Sequence, residues 1–252
     1  MRIAALLSAL ALVMLIVGCG DDEPTGPGPT VSAPTNLDVQ VAGADSLSIR
    51  LTWTAPSQTV DGYIVTIPGG SVDTTTNTYY EHTPTSLGAY SVKAYLGGNS
   101  SSTLDTTTAL HSETNEGPIY WLQDPDPGHP SGYGWDASGN GATYSASSAN
   151  RDYIDLILDA DEDLRSPADT FGSSWHTTGI AYNASWTYSG MTVAPLSGYL
   201  TWQSPVVNGV YVLWLEAGGQ YLKLEITEHN TSTHSIRFNF GFQRIAGFRR
   251  LG

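Results

Sequence analysis

The sequence predicts an all-β protein, with two successive β domains behind an N-terminal export and anchoring segment. Thr, Tyr, Val, Ile and Trp fall in short alternating runs divided by Gly, Pro, Asn and Ser turns, the pattern of half-buried strands. No stretch sustains a helical period, and only residues 161–168 offer a brief helical turn. The chain has 252 residues, 10% aromatic and only 13% charged, enough for one large or two small hydrophobic cores.

The N-terminus comes first in the chain and carries its clearest chemistry. Arg2 gives a positive start, and residues 3–17 form an apolar run broken only by Ser8. A spanning helix needs roughly 20 apolar residues, whereas a signal-peptide core needs roughly 7 to 15 followed by small residues. Ile16-Val17-Gly18-Cys19 meets the second description and resembles the bacterial lipobox. That resemblance implies removal of residues 1–18 and a diacylglycerol on the Cys19 thiol; the alternative is a plain secretory signal with an incidental cysteine. Cys19 is the only cysteine, so no disulfide framework is possible, and lipidation accounts for an unpaired thiol in an exported chain. At about 0.8 kcal/mol per buried CH₂, two or three acyl chains anchor stably where one would not. Gly20 after the cysteine, by resemblance to the enterobacterial sorting rule, points to the outer membrane of a bacterial envelope. Residues 19–32 then form an acidic, Pro- and Gly-rich tether that cannot bury enough surface to offset its ordering entropy.

The net charge of −14 repels phosphates, so nucleic acid is not an expected partner. The membrane, through the anchor, and a protein or glycan at the cell surface are. Arg244, Arg249 and Arg250 make the only basic cluster, which reads as a solvated tail.

Residues 33–109 arrange their strands in a recognisable order. Residues 36–41 make a first strand; Leu47, Ile49, Leu51 and Trp53 alternate along a second; residues 62–65 and 88–95 supply later ones, with Tyr90, Val92 and Ala94 on one side. Leu51-x-Trp53-x-Ala55-Pro56, Gly62-Tyr63-x-Val65 and the run from Leu87 to Ala94 resemble a fibronectin type III domain. The resemblance implies an immunoglobulin-like sandwich with Trp53 buried between its sheets and Tyr90 as the corner tyrosine. It implies a spacer or protein-binding role and no catalytic constellation.

Residues 110–252 are expected to form a larger antiparallel all-β domain. Residues 153–159 read as a half-buried strand with Ile154, Leu156 and Leu158 on one face, and residues 209–215, 221–226 and 235–243 as consecutive antiparallel strands. In the last, Ile236, Phe238, Phe240 and Phe242 share one face. Tyr153-Ile154-Asp155-Leu156, Gly219-Gln220-Tyr221-Leu222-Lys223-Leu224 and Ile236-x-Phe238-x-Phe240-x-Phe242-Gln243 resemble the HmuY-like lipoproteins. That resemblance implies an extracellular all-β domain and, as one role, haem binding; no pair of haem-ligating histidines carries over by motif.

Haem would need axial ligands such as His within an apolar slot. The candidate ligand-binding residues are His129 with Tyr133 and Trp135, and His176 with Trp175; His229 and His234 flank a turn. Residues 159–163 begin like a calcium loop, but Leu164 stands at the glycine position and Thr170 at the bidentate-Glu position, so a solvated acidic turn is expected and no metal. The nucleophile-elbow, zinc-protease and phosphate-loop motifs do not occur, and no catalytic residue is assigned. Asp152, Asp155 and Asp159 lie near aromatics that could stack on sugars, which leaves a glycan-active protein as the minor alternative. On one strand, Asp155 and Asp159 would stand about 13 Å apart at about 3.3 Å per residue, too far for a glycosidase pair. The reading is a non-enzymatic, membrane-anchored binding or adhesion module, with haem or other small-ligand binding and carbohydrate binding as alternatives.

Overall fold

The computed structural model describes residues 30–124 and 126–252. The expected signal peptide, Cys19 and most of the expected tether lie outside them. Among the described residues no helix is long and apolar enough to cross a membrane.

The first eight strands are β1 (Thr35–Ala42), β2 (Ser48–Thr54), β3 (Gly62–Thr66), β4 (Val72–Thr75), β5 (Tyr79–His82), β6 (Ala89–Leu96), β7 (Asn99–Ser100) and β8 (Leu104–Thr107). They form two antiparallel sheets, β1-β2-β5 facing β4-β3-β6-β7, with β8 also pairing with β6. This is a fibronectin type III-like sandwich. The alternation in the sequence is what builds it: Ile49, Leu51 and Trp53 of β2 meet Tyr63 and Val65 of β3 and Tyr90, Val92 and Ala94 of β6 in one core. Trp53 is buried, edge-on to Tyr63 with ring centroids 5.2 Å apart. The hydroxyl of Tyr90 reaches back to His82 Nδ1 at 2.8 Å, a side chain where a corner tyrosine ordinarily finds backbone.

The remaining elements are β9 (His111–Tyr120), β10 (Gly132–Trp135), β11 (Gly141–Tyr144), a 3-10 turn (Ser148–Tyr153), β12 (Leu156–Leu158), β13 (Leu164–Arg165), α1 (Pro167–Phe171), β14 (Thr178–Tyr182), β15 (Trp202–Gln203), β16 (Val210–Leu215), β17 (Gln220–Asn230) and β18 (Ser235–Phe242). They make two five-stranded sheets, β14-β16-β17-β18-β9 and β11-β10-β12-β13-β15. Ile236, Phe238, Phe240 and Phe242 do share a face, packed with Leu222, Leu224 and Ile226 of β17 against Tyr133, Leu156 and Leu158 of the opposite sheet. The other face of the larger sheet is covered as well. Val210 and Val212 pack there with Met191, Ala194 and Leu251, so β16 reads as a continuous apolar run because both its faces are buried. Lys223 lies on that covered face, 6% exposed, and donates to the carbonyls of Tyr188 (2.9 Å) and Met191 (3.3 Å), pinning the overlying loop.

Three sequence expectations change. Residues 153–159 are not a half-buried strand: Tyr153 closes the 3-10 turn, β12 spans three residues, and residues 154–159 are all buried, Asp155 and Asp159 included. The helical turn forms at Pro167–Phe171, where Pro167 presets the first helical φ, and so begins later than residues 161–168 suggest.

The arginine tail, third, is solvated only in part: Arg244 is exposed and Arg250 half-buried, but Arg249 is not free in solvent. Phe248 is fully buried in the core of the N-terminal sandwich, Arg249 is 7% exposed, and Leu251 enters the covered face of the C-terminal sheet. Arg249 donates to Asp45 O (2.9 Å) at the β1–β2 turn and to Ala194 O (2.9 Å through Nε) beside the large sheet. The last residues therefore stitch the two sandwiches together.

Candidate functional site

The structure brings two of the sequence-predicted residues to one cleft, and none of the others lines it. Trp135, at the end of β10, and His176, in the loop after α1, line one cleft of about 110 Å³ with Asp155, Leu215, Gln220 and Phe242. Asp155 organises it. One carboxylate oxygen accepts from His176 Nδ1 at 2.8 Å and the other from the Trp135 backbone N–H at 2.9 Å. Strand β10 passes close enough for this because residue 134 is glycine; a Cβ there would stand 1.6 Å from the Tyr153 carbonyl oxygen.

This leaves a surplus of donors. Each Asp155 oxygen already accepts one hydrogen bond, and Asp136 on the rim is occupied by the backbone N–H groups of Ser138 and Asn140 and by Asn140 Nδ2. The buried Trp135 indole N–H has no partner among the described residues. A His–Asp pair is the base-and-orienter half of a nucleophilic triad, but the residues lining the cleft include no Ser, Thr or Cys to be activated. The arrangement suits holding a small acceptor group.

Asp155 raises the pKa of His176 above its ordinary 6.5 through the hydrogen bond, against an opposing effect of burial. A folded-state pKa above the unfolded value means the pair stabilises the fold fully below about pH 6.5 and loses that contribution as pH rises through the raised value. Urea midpoints are therefore expected to fall between pH 6 and pH 8 in the wild type, with a flatter profile in His176→Gln. Parallel profiles would remove the pair as the cause.

The other predicted residues go elsewhere. Tyr133 is fully buried, its hydroxyl donating to Glu116 at 2.7 Å, so it belongs to the core and not to a ligand surface. Trp175 packs on Phe171 at 4.4 Å. His129 stacks flat on Tyr120 (3.8 Å, 4°) and pairs through Nδ1 with Asp124 at 2.9 Å. His234 stacks on Trp121 at 4.2 Å, and Glu162 bridges His234 Nδ1 (2.5 Å) and His229 Nε2 (2.8 Å). This histidine-rich tip and the His176 cleft lie at opposite ends of β17 and β18. The acidic turn is built rather than solvated. Asp159 accepts from the Asp161 and Asp163 backbone N–H groups and from Arg165, so the cation its carboxylate faces is the Arg165 guanidinium. Among the described residues, no group of three His, Cys, Asp or Glu side chains is arranged to hold a metal.

A second concavity, of about 290 Å³, was not legible beforehand. Leu196, Ser197, Gly198, Tyr199, Trp214 and Tyr221 line it, drawn from the covering loop and from adjacent strands β16 and β17. The signal present was Trp214 alternating with Val210 and Val212 on one face of β16; the loop residues that complete it carry no motif.

No protein-family model matches the chain, and no curated protein matches it. Similar solved structures include a DUF4466 family protein from Parabacteroides merdae, at 8% identity and a TM-score of 0.35 over 85% of this chain and 99% of that one. A two-domain fibronectin type III segment of chicken tenascin is similar at 13% identity and a TM-score of 0.25, over 77% and 92% of the respective chains. Likeness at this level carries no functional argument, and the fold rests on the strand order itself.

Proposed function

We propose that the chain is a lipid-anchored surface module of the bacterial envelope that binds a partner at the membrane surface without catalysing a reaction. The observation that carries this is the segment from Leu196 to Val207. Within it Leu196 (74%), Leu200 (53%), Trp202 (46%), Val206 (43%) and Val207 (47%) are exposed. Single exposed apolar residues are ordinary, but a concentration of large ones marks an interaction surface. A purely structural role for the tryptophans would bury them all, whereas Trp202 is exposed and Trp121, Trp135, Trp175, Trp186 and Trp214 are each only partly buried. The remaining parts serve presentation: Cys19 as anchor, the Pro/Gly tether as reach, and the N-terminal sandwich as a spacer joined firmly to the binding domain.

Haem, the role implied by the HmuY-like resemblance, has less support. The cleft holding His176 is about 110 Å³, against roughly 300–1,000 Å³ for sites that enclose drug-sized ligands, and His176 Nδ1 is committed to Asp155.

The anchor is tested by Cys19→Ser. In detergent phase partitioning of expressing bacteria, the wild type is expected in the detergent phase and the variant in the aqueous phase. Equal retention of both would overturn the anchored reading.

A further inference from the structure

The concavity formed by Leu196, Ser197, Gly198, Tyr199, Trp214 and Tyr221 has a distinct chemistry. None of its lining residues is charged, in a chain of net charge −14, and half of them are aromatic. The Tyr199 ring stands 6.5 Å from both Trp214 and Tyr221, tilted 54° and 43° to them, so the three rings line the hollow at an angle to one another and do not stack shut. The Tyr199 hydroxyl is committed to Pro195 O at 3.0 Å. Trp214 and Tyr221 are half-buried and Ser197 is exposed, so the lining adds an indole N–H and two further hydroxyls to its aromatic surface.

Each feature narrows the ligand. Aromatic faces are negative and attract C–H edges, and hydroxyl groups in the same lining suit a ligand with several hydroxyls. An uncharged lining on an acidic protein offers nothing to a phosphate, sulfate or carboxylate and gives a cation no local counter-charge. A volume of about 290 Å³ falls at the small end of ligand sites, which run from roughly 300 Å³ upward, and suits a ring or two at the end of a chain and not a long groove.

We propose that this concavity binds a neutral sugar, a pyranose whose C–H face stacks on Trp214 and whose hydroxyls bond to the Tyr221 and Ser197 hydroxyls. The proposal rests on reading the Leu196–Val207 segment as a binding face and names what that face takes. Its framework is rigid on two sides, since β16 and β17 are paired across Trp214 and Tyr221. The third side is the loop held down by Lys223, so the site needs no folding on binding.

The test is saturation-transfer NMR on the full chain, purified in detergent, with a panel of neutral methyl pyranosides and their oligosaccharides and a matched panel of uronic and sialic acids. Saturable binding of at least one neutral sugar is expected, weakened at least tenfold in Trp214→Ala and severalfold in Tyr221→Phe, which keeps the ring and removes only the hydroxyl. Tyr153→Ala, an exposed aromatic outside both the concavity and the Leu196–Val207 segment, is expected to bind as the wild type does. Binding by no neutral sugar, a preference for the charged panel, or undiminished binding in Trp214→Ala with unchanged circular dichroism would each overturn the proposal. These outcomes are independent of the Cys19→Ser partition, so the sugar site and the anchored reading fail separately.

Discussion

Replacing Phe248 by Ala is expected to cost about 3–5 kcal/mol and to split the unfolding of the protein into two transitions. The side chain is fully buried, yet it comes from the far end of the chain and packs among Ile49, Leu51, Val65 and Val92 of the N-terminal sandwich. Its loss opens a cavity in that core and removes the apolar tie that makes one sandwich feel the unfolding of the other. Arg249 remains, but its hydrogen bonds to Asp45 O and Ala194 O replace bonds to water and contribute less than the ring does. Calorimetry of the full chain is expected to show one dominant transition in the wild type and a separated, lower transition of the N-terminal sandwich in Phe248→Ala. Phe248→Leu, which keeps most of the volume, is expected to fall between them. A loss below about 1 kcal/mol for the alanine variant would mean the tail only rests on the domain.

That junction was not visible in the sequence, for a physical reason. Alternation tells which face of a strand is buried, but an isolated Phe248 between Gly247 and Arg249 has no period, and an arginine satisfied by carbonyl oxygens looks the same in sequence as a solvated one. Where period existed, it was decisive. The alternation of Ile49, Leu51 and Trp53, and of Ile236, Phe238, Phe240 and Phe242, gave both core faces before any coordinates. It failed at residues 153–159, because a segment buried on both sides, with its aspartates satisfied internally, keeps the composition of a half-buried strand. The candidate site was half legible. His176 and Trp135 carry recognisable chemistry, but their meeting depends on Asp155, which reads as a surface acid until its two hydrogen bonds are seen. The aromatic concavity depends on a loop crossing a sheet, and the hint of that crossing was a lysine, Lys223, between Leu222 and Leu224.

Asp159 shows the same misreading at larger energetic stake. Asp159→Ala is expected to destabilise the C-terminal domain by about 3–5 kcal/mol, the cost of removing one partner from a buried ion pair. The carboxylate is 5% exposed and holds three things at once: the Asp161 and Asp163 backbone N–H groups at 2.9 Å each, and Arg165. Without it the turn loses two acceptors, and Arg165 keeps only Asp169, at 2.8 Å, as a charged partner. The turn also presents Glu162 to His229 and His234, so its collapse is expected to free both histidines at the tip. At roughly 2–4 °C per kcal/mol for a domain of this size, the melting temperature falls by roughly 6–20 °C. Asp159→Asn separates the contributions, because an amide oxygen can still accept from the turn while the charge is gone. If the turn dominates, the asparagine variant retains most of the stability; if the ion pair dominates, it melts with the alanine variant. Pairing each substitution with Arg165→Met completes the cycle: a double variant more stable than Asp159→Ala alone shows that the cost lies in the abandoned guanidinium, and added calcium is expected to change none of these melting temperatures.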